Sequence, residues 1–581
     1  MSQTADLILT GGDVLTVDAA FTVAEAVAVR AGRVLAVGGA TEVAALAGPD
    51  TQVIDLAGRT VLPGINDSHL HGAAWALTRP PFALDIGHPA VESIADIADA
   101  VRAAAADTPR GEWITGLGWD LGYLAECLAD TARRPTRADL DAAAPHHPVC
   151  LTDFSGHMVW VNSTALERAG ITRGTESPSG GVIETDATGE PTGILKETAQ
   201  ALVQALVPPA TVAQRKEAIR RAVTALHAQG ITSYTEPGLG PGGAEILGGG
   251  LDVGTLHAYV ELARAGQLDS RVRVLLLPAP MGGSAADVRA GLRGLEVPKD
   301  VDERRLAVIG VKVFADGVPP NETAWMHDPY PAGGHGALCV HGADAGLQQA
   351  ELAEMIRVAH TAGHQLGVHV TGDRAIDAVV DAFADAQRAH PRPDARHYII
   401  HGDFASPRSL AKLAEHGYGV NMNPAIKWTI ADLMDDVVGR QRSDYQWPVR
   451  SAAEAGIAVC VGSDAPITQP NWRQGVAAML LRESKATGRV SGPDQRVSLE
   501  TALRAYTVNP ARQDFAEGWK GAIEPGKVAD LCVLGGDLRA TDPHDIPDLP
   551  IDLTVFDGRV VFDRAREGRD EREVTAGQGG R

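Results

Sequence analysis

Four times in the middle of the chain a helix-like segment closes on a glycine and an apolar run opens within a few residues. The junctions are His227-Ala-Gln-Gly before Ile231-Thr-Ser-Tyr, Thr361-Ala-Gly before Gln365-Leu-Gly-Val, Glu415-His-Gly before Tyr418-Gly-Val, and Glu454-Ala-Gly before Ile457-Ala-Val. Glycine closes helices because it takes the left-handed conformation without a Cβ penalty. Helix then strand, repeated, implies parallel β/α units. Thr211 and Gln214 read as a capping box opening the helix that Gly230 closes. Strand candidates run Val61 to Ser68, Ile231 to Glu236, Val272 to Leu277, Val308 to Phe314, Leu366 to Val370, Tyr398 to His401, Tyr418 to Met422 and Ile457 to Gly462. Eight such strands predict an α/β fold, a closed (β/α)8 TIM barrel whose chemistry sits at the C-terminal strand ends. A doubly wound open sheet is the rival arrangement of the same units.

The two ends of the chain have another rhythm. Ala31-Gly-Arg-Val-Leu-Ala-Val, Ala57-Gly-Arg-Thr-Val-Leu-Pro and Asp557-Gly-Arg-Val-Val-Phe-Asp each set a glycine turn before a β-prone run, the pattern of a hairpin. Two precede residue 65 and one follows 550, so residues 1–63 and 515–565 are expected to form one small β-sandwich domain flanking a barrel of 64–74 and 211–514. About 160 residues separate the first two barrel strands, too many for a loop. An inserted α+β subdomain is assigned to 75–210, with a hairpin turn at Asp186-Ala-Thr-Gly, and 566–581 reads as a charged, glycine-containing tail.

A length of 581 residues accommodates all of these parts. With 52 basic against 74 acidic residues the net charge is −22, which repels a nucleic-acid backbone or an anionic membrane. The five cysteines (127, 150, 339, 460 and 532) are scattered and form no C-x-x-C pair, so no disulfide framework is expected. Met1 to Asp18 has no basic region followed by a continuous apolar core, and no stretch approaches about 18 uninterrupted apolar residues, so neither a secretory leader nor a membrane span is expected. These features predict a cytoplasmic protein acting on a small molecule, without nucleic-acid or membrane partners. A homo-oligomer, a dimer, is the expected assembly, although no sequence feature dictates it.

The chemistry-bearing residues collect at the predicted strand ends. Asn66-Asp-Ser-His-Leu-His closes the first strand, where alternation of side chains turns His69 and His71 to one side. Lys312 lies in the fourth strand, His369 and His401 end the fifth and sixth, and Asp464 follows the eighth. Imidazole and carboxylate suit Zn²⁺ and its first-row neighbours, and no cysteine is placed to supply a thiolate. Lys312 is the odd member, since an ammonium has no lone pair for a cation. Buried, it can turn neutral and react with carbon dioxide to give a carbamate able to bridge two metals; an ion pair with Asp316 is the other reading.

The chain resembles the amidohydrolase superfamily, and within it amidohydrolase family 3, the YtcJ-like and AepA-like group. The resemblance spans nearly the whole chain. Its motifs are Leu62-Pro-Gly-Ile-Asn-Asp-Ser-His-Leu-His, Gly116-Leu-Gly-Trp-Asp, Gly156-His-Met-Val-Trp-Val-Asn-Ser, Pro191-Thr-Gly-Ile-Leu-Lys-Glu, Val311-Lys-Val-Phe-Ala-Asp-Gly, His369-Val-Thr-Gly-Asp-Arg-Ala-Ile-Asp, Gly462-Ser-Asp-Ala-Pro, Thr507-Val-Asn-Pro-Ala and Ile523-Glu-Pro-Gly-Lys-Val-Ala-Asp-Leu. It implies that His69, His71 and Asp464 hold one metal, that His369 and His401 hold a second, and that carboxylated Lys312 bridges them, most simply around two Zn²⁺. Two departures bear on substrate choice. Ser155 stands where the group usually has Asp, and Ile400-His-Gly-Asp replaces a Glu-His-Ala-Gln type run.

The implied activity is hydrolysis of a non-peptide carbon–nitrogen bond in an amide by a metal-held hydroxide, with Asp464 as both ligand and proton carrier. N-substituted formamides are the first substrate class to consider, because a deformylase acting on them belongs to this group. Trp119, Asp120, His157, Asp316 and Trp325 are candidate substrate contacts. Each also has a plain structural reading in core packing, turn capping or tying down a segment. A mononuclear deaminase or cyclic amidase is the alternative enzyme, although Asp373 stands where deaminases have a His-x-x-Glu spacing. A non-catalytic ligand-binding or regulatory barrel is the alternative of another class.

Overall fold

The computed structural model describes residues 4–130, 132–154, 156–178, 181–243, 250–295 and 297–567. Ser155 and residues 568–581 of the expected tail lie outside them. Two compact units are present, Met1–Gly72 with Ala222–Arg581, and Ala73–Arg221.

Among the described residues the first unit holds an eight-stranded parallel sheet with strands β1 (Ile65–Asp67), β2 (Ile231–Leu239), β3 (Arg271–Leu276), β4 (Leu306–Phe314), β5 (Gln365–Val370), β6 (Tyr398–His401), β7 (Gly419–Met422) and β8 (Val459–Val461), each paired with the next in sequence order. The circle closes between β1 and β8. The Ser68 amide and hydroxyl both donate to Val461 O, at 3.2 and 2.8 Å, and the Asp464 amide donates to His69 O at 2.8 Å. Gly462 permits this approach, since a Cβ there would fall 2.7 Å from His69 N. The fold is therefore the (β/α)8 barrel expected from the glycine junctions.

The outer helices form for readable reasons. In α1 (Asp373–Ala389) the buried residues Ala375, Ile376, Val379, Val380, Phe383 and Ala386 recur every three or four positions and make one apolar stripe. In α2 (Pro407–Glu415) the Ser406 hydroxyl caps the Ser409 amide, Pro407 occupies the first turn, and Gly417 ends the run at φ 67°.

Both chain ends enter one eight-stranded sheet, ordered Arg559–Asp563, Ile551–Phe556, Leu531–Leu534, Thr60–Pro63, Leu7–Leu15, Val23–Arg30, Arg33–Gly38, with Gln52–Asp55 also on Leu7–Leu15. Alternation along Leu7–Leu15 sends Leu7 and Leu9 into one cluster with Val27, Val29, Leu531 and Val555, and Ile8 into another with Ala26 and Ala28. Two sequence expectations change here. The expected strand Val61 to Ser68 is two strands, one in this sheet and one in the barrel, divided at Gly64, where a Cβ would strike the Thr232 hydroxyl at 2.2 Å. The Ala57-Gly-Arg turn does not close a hairpin. Gln52–Asp55 and Thr60–Pro63 both run parallel to Leu7–Leu15, and the turn between them detours around the irregularity between Thr10 and Val14. The Ala31 and Asp557 turns do close antiparallel hairpins.

Arg271 of β3, 1% exposed, fastens this sheet to the barrel. Its Nε and Nη2 donate to Asp530 at 2.6 and 2.8 Å, and Nη2 also donates to Asp557. Removing one partner of such a buried pair costs about 3–5 kcal/mol. Because Asp557 stays, Asp530→Ala is expected to destabilise the protein by about 3 kcal/mol in denaturant unfolding, and a loss below about 1 kcal/mol would refute this account.

The second unit is α+β. Its mixed sheet is ordered Gly181–Thr185, Pro191–Glu197, Met158–Val161, Val149–Asp153, Ile114–Trp119, Leu84–Asp85, antiparallel over the first four strands and parallel over the last three. Trp119 and Trp160 meet edge to face at 6.0 Å in its core. Among the described residues no helix is long and apolar enough to cross a membrane.

Candidate metal centre

Strand β1 stops at Asp67, so His69 and His71 lie in the turn beyond it rather than on the strand as the alternation argument had it. What aims them is Asp67 itself. This buried carboxylate accepts the His69 amide at 3.2 Å and the Ser463 amide at 3.1 Å, pinning the turn after β1 to the turn after β8. Burial raises its pKa to about 7. The two turns thereby bring His69, His71 and Asp464 together, with one ligand atom of each within 4.8 Å of the others. His69 Nε2 is 3.3 Å and His71 Nε2 3.6 Å from Asp464 Oδ1. Asp464 holds φ 56°, a left-handed conformation that a non-glycine residue adopts at a cost.

The other two imidazoles lie against this group. The His401 ring is 5.2 Å from that of His69 and 4.6 Å from that of His369. Their tautomers follow from their partners. Asn423 donates Nδ2 to Gly462 O at 3.0 Å, which turns its Oδ1 to His401 Nδ1 at 2.8 Å. That nitrogen carries the proton and Nε2 keeps the lone pair. His369 places Nε2 3.2 Å from Gly317 O, which leaves Nδ1 as its free lone pair. His401 is also left-handed, at φ 72°.

Lys312 extends from β4, 2% exposed, with Nζ 4.6 Å from the Phe314 ring centre. Burial lowers its pKa to about 8, against the opposing pull of Asp464 and Glu236. Those two carboxylates, rather than Asp316, are the charges it feels. Burial, then the charge of Lys312, push His69 and His71 well below the usual imidazole range; for His369 the causes are burial, His401 and Lys312. His401 is lowered by burial, with Asp464 and the Asn423 hydrogen bond opposing. All four rings are thus kept neutral, the form that offers lone pairs to a metal. Neither ring nitrogen of His69 has a hydrogen-bond partner although both are buried, a costly state that a metal would relieve. Neutral imidazoles with a carboxylate are the donor set of a first-row divalent ion.

Each candidate substrate residue has structural partners within its own unit. Asp316 is buried, its carboxylate accepting the amides of Trp325, Thr371 and Gly372 at 2.8 to 2.9 Å, so it folds the loop after β4. Trp325 is 4% exposed beneath the Arg374 guanidinium, 4.2 Å away. Trp119 is core, its Nε1 donating to Leu151 O. Asp120 accepts the Gly122 amide as a turn residue, and His157 meets Glu197 at 2.9 Å. Lys196 pairs with Glu184 rather than with its neighbour Glu197. Sequence reasoning missed Asp67, Asn423 and Glu236. Glu236 ends the second strand candidate, where a lone carboxylate carries less signal than an imidazole.

Known proteins are similar to this chain over most of its length. The model of the amidohydrolase family matches residues 52–562. The chain is 29% identical over 572 residues to the N-substituted formamide deformylase of Arthrobacter pascens, covering 97% of this chain and 99% of that one. It is 30% identical to the putative amidohydrolase YtcJ of Bacillus subtilis, covering 89% and 92%. Among solved structures, an uncharacterized metal-dependent hydrolase from Pyrococcus furiosus superposes with a TM-score of 0.71 at 25% identity, covering 92% of this chain and 99% of that one. A barrel with buried, neutral histidines and a carboxylate at its strand ends is what a metal-dependent hydrolase requires, and this chain belongs to the amidohydrolase family.

Proposed function

We propose that the protein hydrolyses the carbon–nitrogen bond of small amides, with N-substituted formamides as its substrate class. In this reading His69, His71 and Asp464 would hold one zinc-type ion, His369 and His401 would hold a second, and Lys312, carboxylated on Nζ, would supply a further anionic ligand. The single observation that carries it is the gathering of His69, His71 and Asp464 within 4.8 Å at the barrel's C-terminal end. The formamide assignment draws support from the near full-length similarity to a deformylase.

Metal ions bound there polarise a carbonyl and lower the pKa of water from 15.7 to about 7. The protein's own contribution is arrangement and proton transfer. Asn423 and Gly317 fix which nitrogen His401 and His369 present. Asp464 accepts the proton of the attacking water and hands it to the departing nitrogen. The overall change, R–NH–CHO plus water to R–NH₂ plus formic acid, balances without a further reactant.

The test joins metal analysis to a substrate screen. Protein purified without chelator, in bicarbonate, is expected to hold close to two ions per chain and to release formate and amine from N-substituted formamides. Chelation should stop turnover and added Zn²⁺ restore it. About one ion per chain would move the assignment to a mononuclear enzyme. Hydrolysis of other amides with formamides left intact would refute the substrate class.

A further inference from the structure

Strand β2 carries Glu236, 1% exposed, in the wall beside the first histidine pair. Its Oε2 accepts the Tyr259 hydroxyl at 2.8 Å, and Tyr259 in turn meets the Tyr234 hydroxyl at 2.9 Å. Burial, and then the Glu236 charge, raise both phenols above their usual range, so they stay protonated donors. Tyr234 is itself confined, for a Cβ on Gly72 would fall 2.9 Å from its ring. The other oxygen, Oε1, faces His71 Nδ1 at 3.8 Å. The far nitrogen of that ring, Nε2, faces Asp464. His71 therefore stands between two carboxylates, one within the ligand group and one anchored behind it.

An imidazole offers a metal one lone pair while its other nitrogen keeps the proton, and a carboxylate accepting that proton sets both tautomer and ring plane. We propose that Glu236 is a positioning residue of the metal centre, standing 3.8 Å from His71 Nδ1 and closing to accept its proton when the site fills, so that Nε2 presents its lone pair beside Asp464, with Tyr259 and Tyr234 holding the carboxylate in place. The inference rests on the metal-centre reading above and goes beyond it. Glu236 also lies within electrostatic reach of Lys312. A role as that lysine's counter-charge makes a different demand, since it needs the charge of Glu236, whereas orienting His71 needs only an acceptor oxygen.

Zinc affinity, measured by competition with a chromophoric chelator on the full chain, separates the two. Loss of an outer partner of this kind costs about 10–100-fold in metal affinity. Glu236→Ala is expected to show that loss, and Glu236→Gln, which keeps an acceptor oxygen, to recover most of it. Tyr259→Phe, which releases only Oε2, should weaken zinc binding several-fold and decides the matter if Glu236→Ala does not fold. Wild-type affinity in Glu236→Ala, or in Tyr259→Phe where the alanine variant is insoluble, would overturn the proposal, as would a Gln variant as weak as Ala. No substrate enters the measurement, so failure to cleave formamides leaves the role of Glu236 standing. A wild-type chain that takes up no zinc would overturn both.

Discussion

Lys312→Ala is expected to lose turnover by on the order of 10³-fold or more and to lose metal with it, and a short carboxylate such as acetate is expected to restore part of both. The magnitude follows from removing a group whose ions supply several kcal/mol of charge stabilisation, at 1.36 kcal/mol per tenfold in rate. The rescue follows from chemistry. Lys312 is buried, yet its pKa of about 8 leaves a substantial neutral fraction near pH 8, the form of the amine that the proposed attack on carbon dioxide, with release of a proton, requires. Alanine leaves a hole at that place, which an exogenous carboxylate fits. An alanine variant with full activity and full metal content would show that Lys312 has no bridging role. Loss without rescue, together with a lowered melting temperature, would point to packing against Phe314 instead.

Asp464→Asn is expected to give the opposite split, with turnover falling about 10²–10⁴-fold, the usual worth of general acid–base catalysis, while much of the metal stays bound. The amide keeps the shape and one carbonyl oxygen for coordination, but it cannot accept the water proton. The backbone at φ 56° is common to both side chains, and Asn tolerates the left-handed region well, so the fold should be unaffected. Unchanged turnover would refute the proton-carrier role. Complete loss of metal would make Asp464 chiefly a ligand.

Much of this architecture can be read from the chain because glycine marks it. Gly230, Gly363, Gly417 and Gly456 all have positive φ, between 67° and 89°, as a helix end before a strand demands. The four histidines were legible because they sit where the barrel's strands end. Reading fails where a residue's meaning depends on what lies opposite. Ala57-Gly-Arg has the same local turn chemistry as its two counterparts, and only the neighbouring Leu7–Leu15 strand decides that its flanks run parallel. Glu236 and Asp67 are ordinary acidic residues in sequence, and it is burial beside His71 and between two backbone amides that gives them their roles. Trp119 illustrates the converse, an aromatic in a motif whose ring turns out to fill a core.

The seam of the barrel sets a timetable for the site. Asp67 and Ser463, whose hydrogen bond aligns the two ligand-bearing turns, are 396 residues apart in the chain. At about 5–20 residues per second, a ribosome needs roughly 20–80 s to travel from one to the other. Through that interval the nascent chain carries an exposed His-x-His pair with no carboxylate to complete it. For the proposed centre, high-affinity capture of metal is therefore expected to follow docking of the last strand, sealing the ring rather than seeding it.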